Sequence, residues 1–510
     1  MIKALKLFCL IVFVLIFIFS LSGCDELDET PGEDEDIIYD DPDNPFDPDD
    51  PSDLDDPSDP SDPPDIDVNL TLEEIIAAML SEQEGTKDTP AVLKLDVEIG
   101  NMTDTNNNWH RILKSIETGG KYVDLDLSAC AMLYYFFDPD YRITGGKNLI
   151  IKITLPDAAT EIIGVEINVA NEQRAFIRFT NLEFVSGKNI IHIGSYAFRN
   201  LIRLKEADFQ NLKNIDSTVF ANCTSLTKID FPLLDSIGEY SFSGCSDLKT
   251  ANLPELTEVK PYTFYECSKL ETAFIPKTTL IDQYAFYHCS SLTEADFPLV
   301  ETLGDEAFRN CESLIEVDFP LVVTVNPRTF IDCKNLVTVS FAVAEKIGNE
   351  AFKNCVNLKT AEFLGSPEQE TFPPNHPLDP YTNETGLFTE DCFVIYDYAF
   401  YGCKSLEVLD IRNAWNIYFA GGCLADIGTH LDMYLFDDDG SKSYGHPPID
   451  YFLGGGNNKG PLTLESLNIY IPQSGTKVKY RHPGPEKGYH GIEVWVSDTL
   501  ITTVNVEKLP

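Results

Sequence analysis

From Ile193 onward the apolar positions recur with a period that neither a lone helix nor an alternating strand produces. Phe198, Phe220, Phe242, Phe264, Phe286, Phe308, Phe330 and Phe352 stand 22 residues apart without slippage, and Phe400 resumes the column after an irregular stretch. Three residues after each Phe stands Leu201, then Cys223, Cys245, Cys267, Cys289, Cys311, Cys333, Cys355 and Cys403. Three further on, Leu fills the column from Leu204 to Leu406. A fixed period of this length means a solenoid, because so short a unit cannot bury its own apolar face and must stack on its neighbours. Within one unit, Leu292, Ala295 and Phe297 are expected to point inward. Glu294 and Asp296 are expected to point outward, since alternate strand residues face opposite ways. Pro298 cannot donate to a sheet ladder, so each strand is short. Ile281, Phe286 and Cys289 share a spacing that suits a short helical turn packed on the strand layer. Stacking predicts a parallel sheet with strands about 4.8 Å apart.

Leu292-x-x-Ala295-x-Phe297 has the form of the L-x-x-L-x-L strand of leucine-rich repeats, with Ala and Phe substituted. Ile347-Gly348-Asn349-Glu350-Ala351-Phe352-Lys353-Asn354-Cys355 resembles the 22-residue bacterial repeat called BspA-like or treponemal-type at its informative positions. The resemblance covers Ile193–Ile411 clearly and Leu149–Phe176 weakly. It implies a surface or secreted protein of the adhesin or host-contact kind, and no catalytic activity in the repeat itself. The expected fold is therefore an α/β leucine-rich repeat solenoid with short parallel strands, a small N-terminal α/β cap and a β-rich C-terminal cap.

The chain divides into five parts. Residues 1–24 read as an export signal: Lys3 and Lys6 precede an apolar run at 5–19. Leu21-Ser22-Gly23-Cys24 looks like a bacterial lipobox, which implies cleavage before Cys24 and its lipidation. An uncleaved membrane helix is the competing reading. Residues 25–67 hold 21 Asp or Glu and no Lys or Arg. Recurrent Pro forbids a helix and too little apolar surface exists to bury, so this is an extended disordered tether. Its Asp spacing fits no calcium-binding loop of the helix–loop–helix type. Residues 68–148 form the N-terminal cap, with a helix capped by Thr71, a second over 107–118, and strands over 91–99 and 121–127. Residues 149–411 are the solenoid, regular from 193. A Pro-rich loop insert at 365–390 separates Phe352 from Phe400 by 48 residues. Residues 412–510 form the C-terminal cap, with strands expected over 462–472, 477–482, 491–496 and 500–506.

Thirteen cysteines in an exported chain invite disulfides. Most stand in one repeat column that Leu201 also fills, so the column wants apolar volume and free buried thiols are expected. The spacing of neighbouring rungs would still permit pairing. No CxxC or His partner marks a metal site.

The outward strand positions form two rows. One runs Asp208, Asp230, Asn252, Phe274, Asp296, Asp318, Ser340, Glu362 and Asp410; the other includes Lys228, Glu294 and Glu316. As candidate binding residues we take Asp208, Lys228, Asp230, Phe274, Glu294, Asp296, Glu316, Asp318, Glu362 and Asp410, a strip for a basic or polyhydroxylated partner. Strand surfaces also need polar residues merely to stay soluble. The net charge of −46, from 37 basic and 83 acidic residues, excludes a nucleic-acid binder. His446, Asp450, His482, His490 and Glu493 come with no catalytic motif. No cofactor and no enzymatic activity are expected. The reading is a monomeric exported lipoprotein at the cell surface or in the periplasm. It would be membrane-anchored through Cys24 and bind an extracellular protein or glycan. A structural or antigenic spacer is the alternative, and an enzyme in the C-terminal region the remotest.

Overall fold

The computed structural model describes residues 70–102, 104, 106–139, 145–164, 176–363 and 393–411, and beyond these only short stretches between 418 and 504. The expected export signal with Cys24, the acidic tether at 25–67 and the insert at 365–390 lie outside the described residues. Among those described, no helix is long and apolar enough to cross a membrane.

The first helix, α1 (Leu72–Ser81), begins where its sequence says it should. The Glu74 N–H donates to Thr71 Oγ1, and the Glu74 carboxylate accepts the Thr71 N–H at 2.8 Å, so two otherwise orphaned donors are satisfied. Leu72, Ile76 and Leu80 are its buried stripe. Strand β1 (Ala91–Lys94) follows, then α2 (Asn108–Gly119) and β2 (Val123–Asp126). Asn107 caps α2 by accepting the His110 N–H at 2.8 Å. Gly120 ends it in the left-handed conformation, which glycine adopts without strain.

β1 pairs parallel with β2, and β2 with Ile150–Thr154. The same sheet continues through Phe184–Ser186 to Glu206–Asp208. The N-terminal region is thus continuous with the sheet of the repeats. Further parallel strands are Lys228–Asp230, Thr250–Asn252 and Thr272–Phe274, then Glu294–Ala295, Glu316–Asp318, Thr338–Phe341, Thr360–Phe363 and Val408–Ile411. The pairing is interrupted between Asp208 and Lys228 and between Phe274 and Glu294, so these strands form three successive sheets; we call the row they make the main sheet. His430–Leu435 and Ser466–Tyr470 extend it in parallel, and Thr503–Val504 adds an antiparallel strand. Val478–Tyr480 and Ile492–Val494 pair with each other. Each of the four strands expected past residue 460 contains one of these. A second row of two-residue parallel strands includes Leu280–Ile281 and Thr302–Leu303.

The helical turn expected around Phe286 is absent. The segment is a chain of turns in which Tyr284 and His288 sit at φ 56° and 59°. The N–H groups of Tyr284, Phe286 and His288 donate to the carbonyls of Asp305, Ala307 and Arg309 at 3.0, 2.8 and 2.8 Å. Every other amide thus bonds to the next repeat instead of to its own turn. This turn row is a third ladder alongside the two rows of strands, and it satisfies backbone groups that a helix would have paired internally. Between the ladders lies one core. Phe286 stacks 5.2 Å from both Phe264 and Phe308, and the column runs on in this way from Phe198 to Phe400.

Candidate functional site

The main sheet sorts side chains as alternation requires: Val317 is buried between exposed Glu316 and Asp318. Within each paired stretch the register lines the outward positions up in two rows. At the N-terminal end one cation, Lys228, partly offsets the carboxylates of Glu206, Asp208 and Asp230. Lys228 Nζ lies 2.7 Å from Asp230 Oδ2, and Asn252 donates to Asp230 Oδ1 at 2.6 Å. These two contacts hold the Asp230 carboxyl below its usual range. Lys228 and Asp230, with Glu206 and Asp208, border a shallow depression of about 340 Å³. Further along, Phe274 stands 57% exposed.

The next stretch differs in kind. Glu294 lies directly opposite Glu316 in register, and Asp296 and Asp318 occupy the second row beside them. All four are exposed, and none makes an ion pair with another described residue. Like charges facing each other across a strand pair are destabilising. Some acids of the surrounding repeats are matched across repeats: Asp247 with Lys269, Glu255 with Lys277 and Glu312 with Lys334, at 2.6, 2.6 and 2.7 Å. Glu362 is half-buried. Asp410 departs from expectation. It is only 5% exposed and makes contacts of its own, so it does not belong to an open strip. Alternation assigns a residue to a face but cannot say what covers that face.

The turn row carries a second set of side chains that strand alternation does not reveal. Tyr240, Tyr262 and Tyr284 stack with ring centroids 4.4 and 4.8 Å apart, and Tyr265 stacks on Tyr287 at 4.7 Å. Burial pushes the pKa values of Tyr240, Tyr262, Tyr265 and Tyr284 up. The column continues as ions: Glu306 pairs with Arg309 at 2.7 Å, and Arg328 with Glu350 at 2.7 Å. Lys353 and Arg328 hold the Glu350 carboxyl below its usual range. The signal was present in the sequence as Tyr standing two residues before Phe at the repeat spacing.

The column cysteines are free and buried. Cys289 Sγ donates to the Phe264 carbonyl at 3.2 Å, and the same bond recurs from Cys223 to Cys403. Burial pushes Cys245 up to about 12 and the others in the same direction. These thiols pack and do not react. His446, Asp450, His482 and His490 lie outside the described residues, as does the side chain of Glu493.

A family model described as a BspA type leucine rich repeat region, in six copies, matches residues 171–293 and 257–372. Residues 171–372 thus match a BspA-type leucine-rich repeat region. The match begins before Ile193, where the period becomes strict, and takes in the buried Phe176, Phe179 and Leu182 of the preceding, irregular repeat. Among solved structures, a leucine-rich repeat protein from Bacteroides ovatus is 25% identical with a TM-score of 0.36, covering 48% of this chain and 62% of its own. The chain thus spans less than two thirds of that protein's length. A leucine rich cell surface protein from Faecalibacterium prausnitzii is 21% identical with a TM-score of 0.32, covering 62% of this chain and 84% of its own. A leucine rich repeat protein from T. pallidum is 24% identical with a TM-score of 0.25, covering 34% and 78%. No curated protein matches the chain. BspA-type repeats, like other stacked repeats, offer broad rigid surfaces of the kind used for binding.

Proposed function

We propose that this protein is an exported lipoprotein, anchored through lipidated Cys24, whose main sheet docks a partner outside the cell. The carrying observation is the group Glu294, Asp296, Glu316 and Asp318, four exposed carboxylates with no cation of the described chain among them. A repulsive array costs stability unless something else uses it. A partner presenting Lys or Arg would relieve it, which favours a protein surface over a neutral glycan. Phe274, exposed one repeat earlier, supplies an aromatic anchor of the kind that carries binding energy. The lipobox and the acidic tether support anchoring at a distance from the membrane.

Binding to a panel of extracellular-matrix proteins and glycans tests this reading. Saturable binding that weakens with added salt is expected for at least one basic protein. Asp296→Lys with Asp318→Lys should weaken it at least roughly tenfold, because like charges then meet at the interface. Binding unchanged in the double variant would move recognition elsewhere on the chain. No binding to any member would leave the spacer as the better account. Cys24→Ala should release the protein from the membrane fraction, and retention there would count against the lipid anchor.

A further inference from the structure

Along the turn row this chain covers tyrosine rings with its own cations at three places. The guanidinium of Arg199 lies 5.5 Å from the ring centre of Tyr196, and that of Arg309 lies 5.5 Å from Tyr287. The Lys353 ammonium lies 5.7 Å from Tyr401. In the middle of the row the pattern is incomplete. Tyr240 opens the stack that runs through Tyr262 to Tyr284, so Tyr262 takes one of its faces. The residue before Tyr240 in its column is Thr218, too short to cover a ring. Tyr240 remains 38% exposed, and no cation of the described residues lies over it.

The surroundings favour a positive group there. Glu239 is exposed and has no ion pair among the described residues. Its backbone carbonyl accepts the Thr218 N–H at 2.8 Å, which holds the Glu239 backbone against the residue that precedes Tyr240 in its column. Its carboxylate adds to the upward push that burial gives the Tyr240 phenol. Exposed Glu266 does the same to Tyr265 one repeat on. The end of the stack is therefore an aromatic face in a negative field.

We infer that the open face of Tyr240, flanked by Glu239, is a subsite for an arginine side chain of a protein partner. A ring face attracts a cation through its quadrupole, and a planar guanidinium can stack on it while an ammonium cannot. Arg309 on Tyr287 shows the same arrangement made within the chain. The subsite is separate from the carboxylates of the main sheet and does not depend on them.

Fluorescence anisotropy of the full chain with two labelled peptides, identical but for Arg or Lys at alternate positions, tests the subsite. The arginine peptide is expected to bind more tightly than the lysine peptide of equal charge. Tyr240→Asn should reduce that preference roughly two- to five-fold. Asn suits the site because Tyr240 sits at φ 58°, a conformation Asn tolerates. Tyr240→Phe should keep the preference, and Glu239→Gln should weaken both peptides. Asp296→Lys with Asp318→Lys should leave the preference intact. An absent preference, or one that survives Tyr240→Asn, would overturn the inference. If Tyr240→Asn melted early, undiminished binding in Glu239→Gln, which leaves every ring of the stack in place, would overturn it equally.

Discussion

Phe286→Ala should cost the repeat stack about 3–5 kcal/mol, the range for deleting a fully buried ring. Phe286 has no exposed surface and contacts three other rings: Phe264 and Phe308 at 5.2 Å and Phe297 at 5.7 Å. Turns and two-residue strands surround it, and their amides are already committed to neighbouring repeats, so the cavity has little freedom to collapse. Stability in a stack is close to a sum of unit and nearest-neighbour contributions, and this change removes contacts to both neighbours at once. Denaturant unfolding followed by circular dichroism measures the loss. A loss under about 1 kcal/mol would mean that the Phe column is not the core.

The second large effect is alkaline collapse. Eight column thiols, from Cys223 to Cys403, are buried, and burial pushes each above its ordinary range. In the unfolded chain a thiol loses its proton near pH 8.5. Above that pH the unfolded state binds fewer protons than the native one, so stability falls as pH rises. The stabilisation is complete below about pH 8.5 and is lost above it, by up to about 1.4 kcal/mol per thiol per pH unit. Eight such groups in one core make the loss steep. The unfolding midpoint should therefore hold steady to about pH 8 and drop sharply by about pH 10. Site-resolved alkylation at pH 8 should leave the same thiols unmodified until denaturant is added. A midpoint indifferent to pH across this range, or column cysteines alkylated in the native protein, would contradict the buried protonated ladder.

The columns of Phe, Cys and Leu were legible in the sequence because repetition at one period averages away what any single unit obscures. The outward placement of Glu294, Asp296, Glu316 and Asp318 followed from alternation alone. The turn row was not legible. Ile281, Phe286 and Cys289 have a spacing that fits a helix, and the left-handed positions between them hold Tyr284 and His288, not the glycine that would have marked a turn. The repeat spacing of Tyr240, Tyr262 and Tyr284 was visible, but their stacking was not, since spacing alone does not say which way a turn side chain points. At the other end, the decay of the period hid that Ala91–Lys94 and Val123–Asp126 join the sheet of the repeats. Asp410 was misplaced because cover over a strand is a tertiary fact.

The main-sheet carboxylates are the centre of the account, and zero-length cross-linking tests them most directly. A carbodiimide joins a carboxylate to a partner amine only where the two touch. With a captured basic partner, cross-links should concentrate on Glu294, Asp296, Glu316 and Asp318 and disappear in the Asp296→Lys, Asp318→Lys variant. Cross-links confined to the tether at 25–67 or to residues beyond 411, with these four carboxylates unmodified, would contradict it.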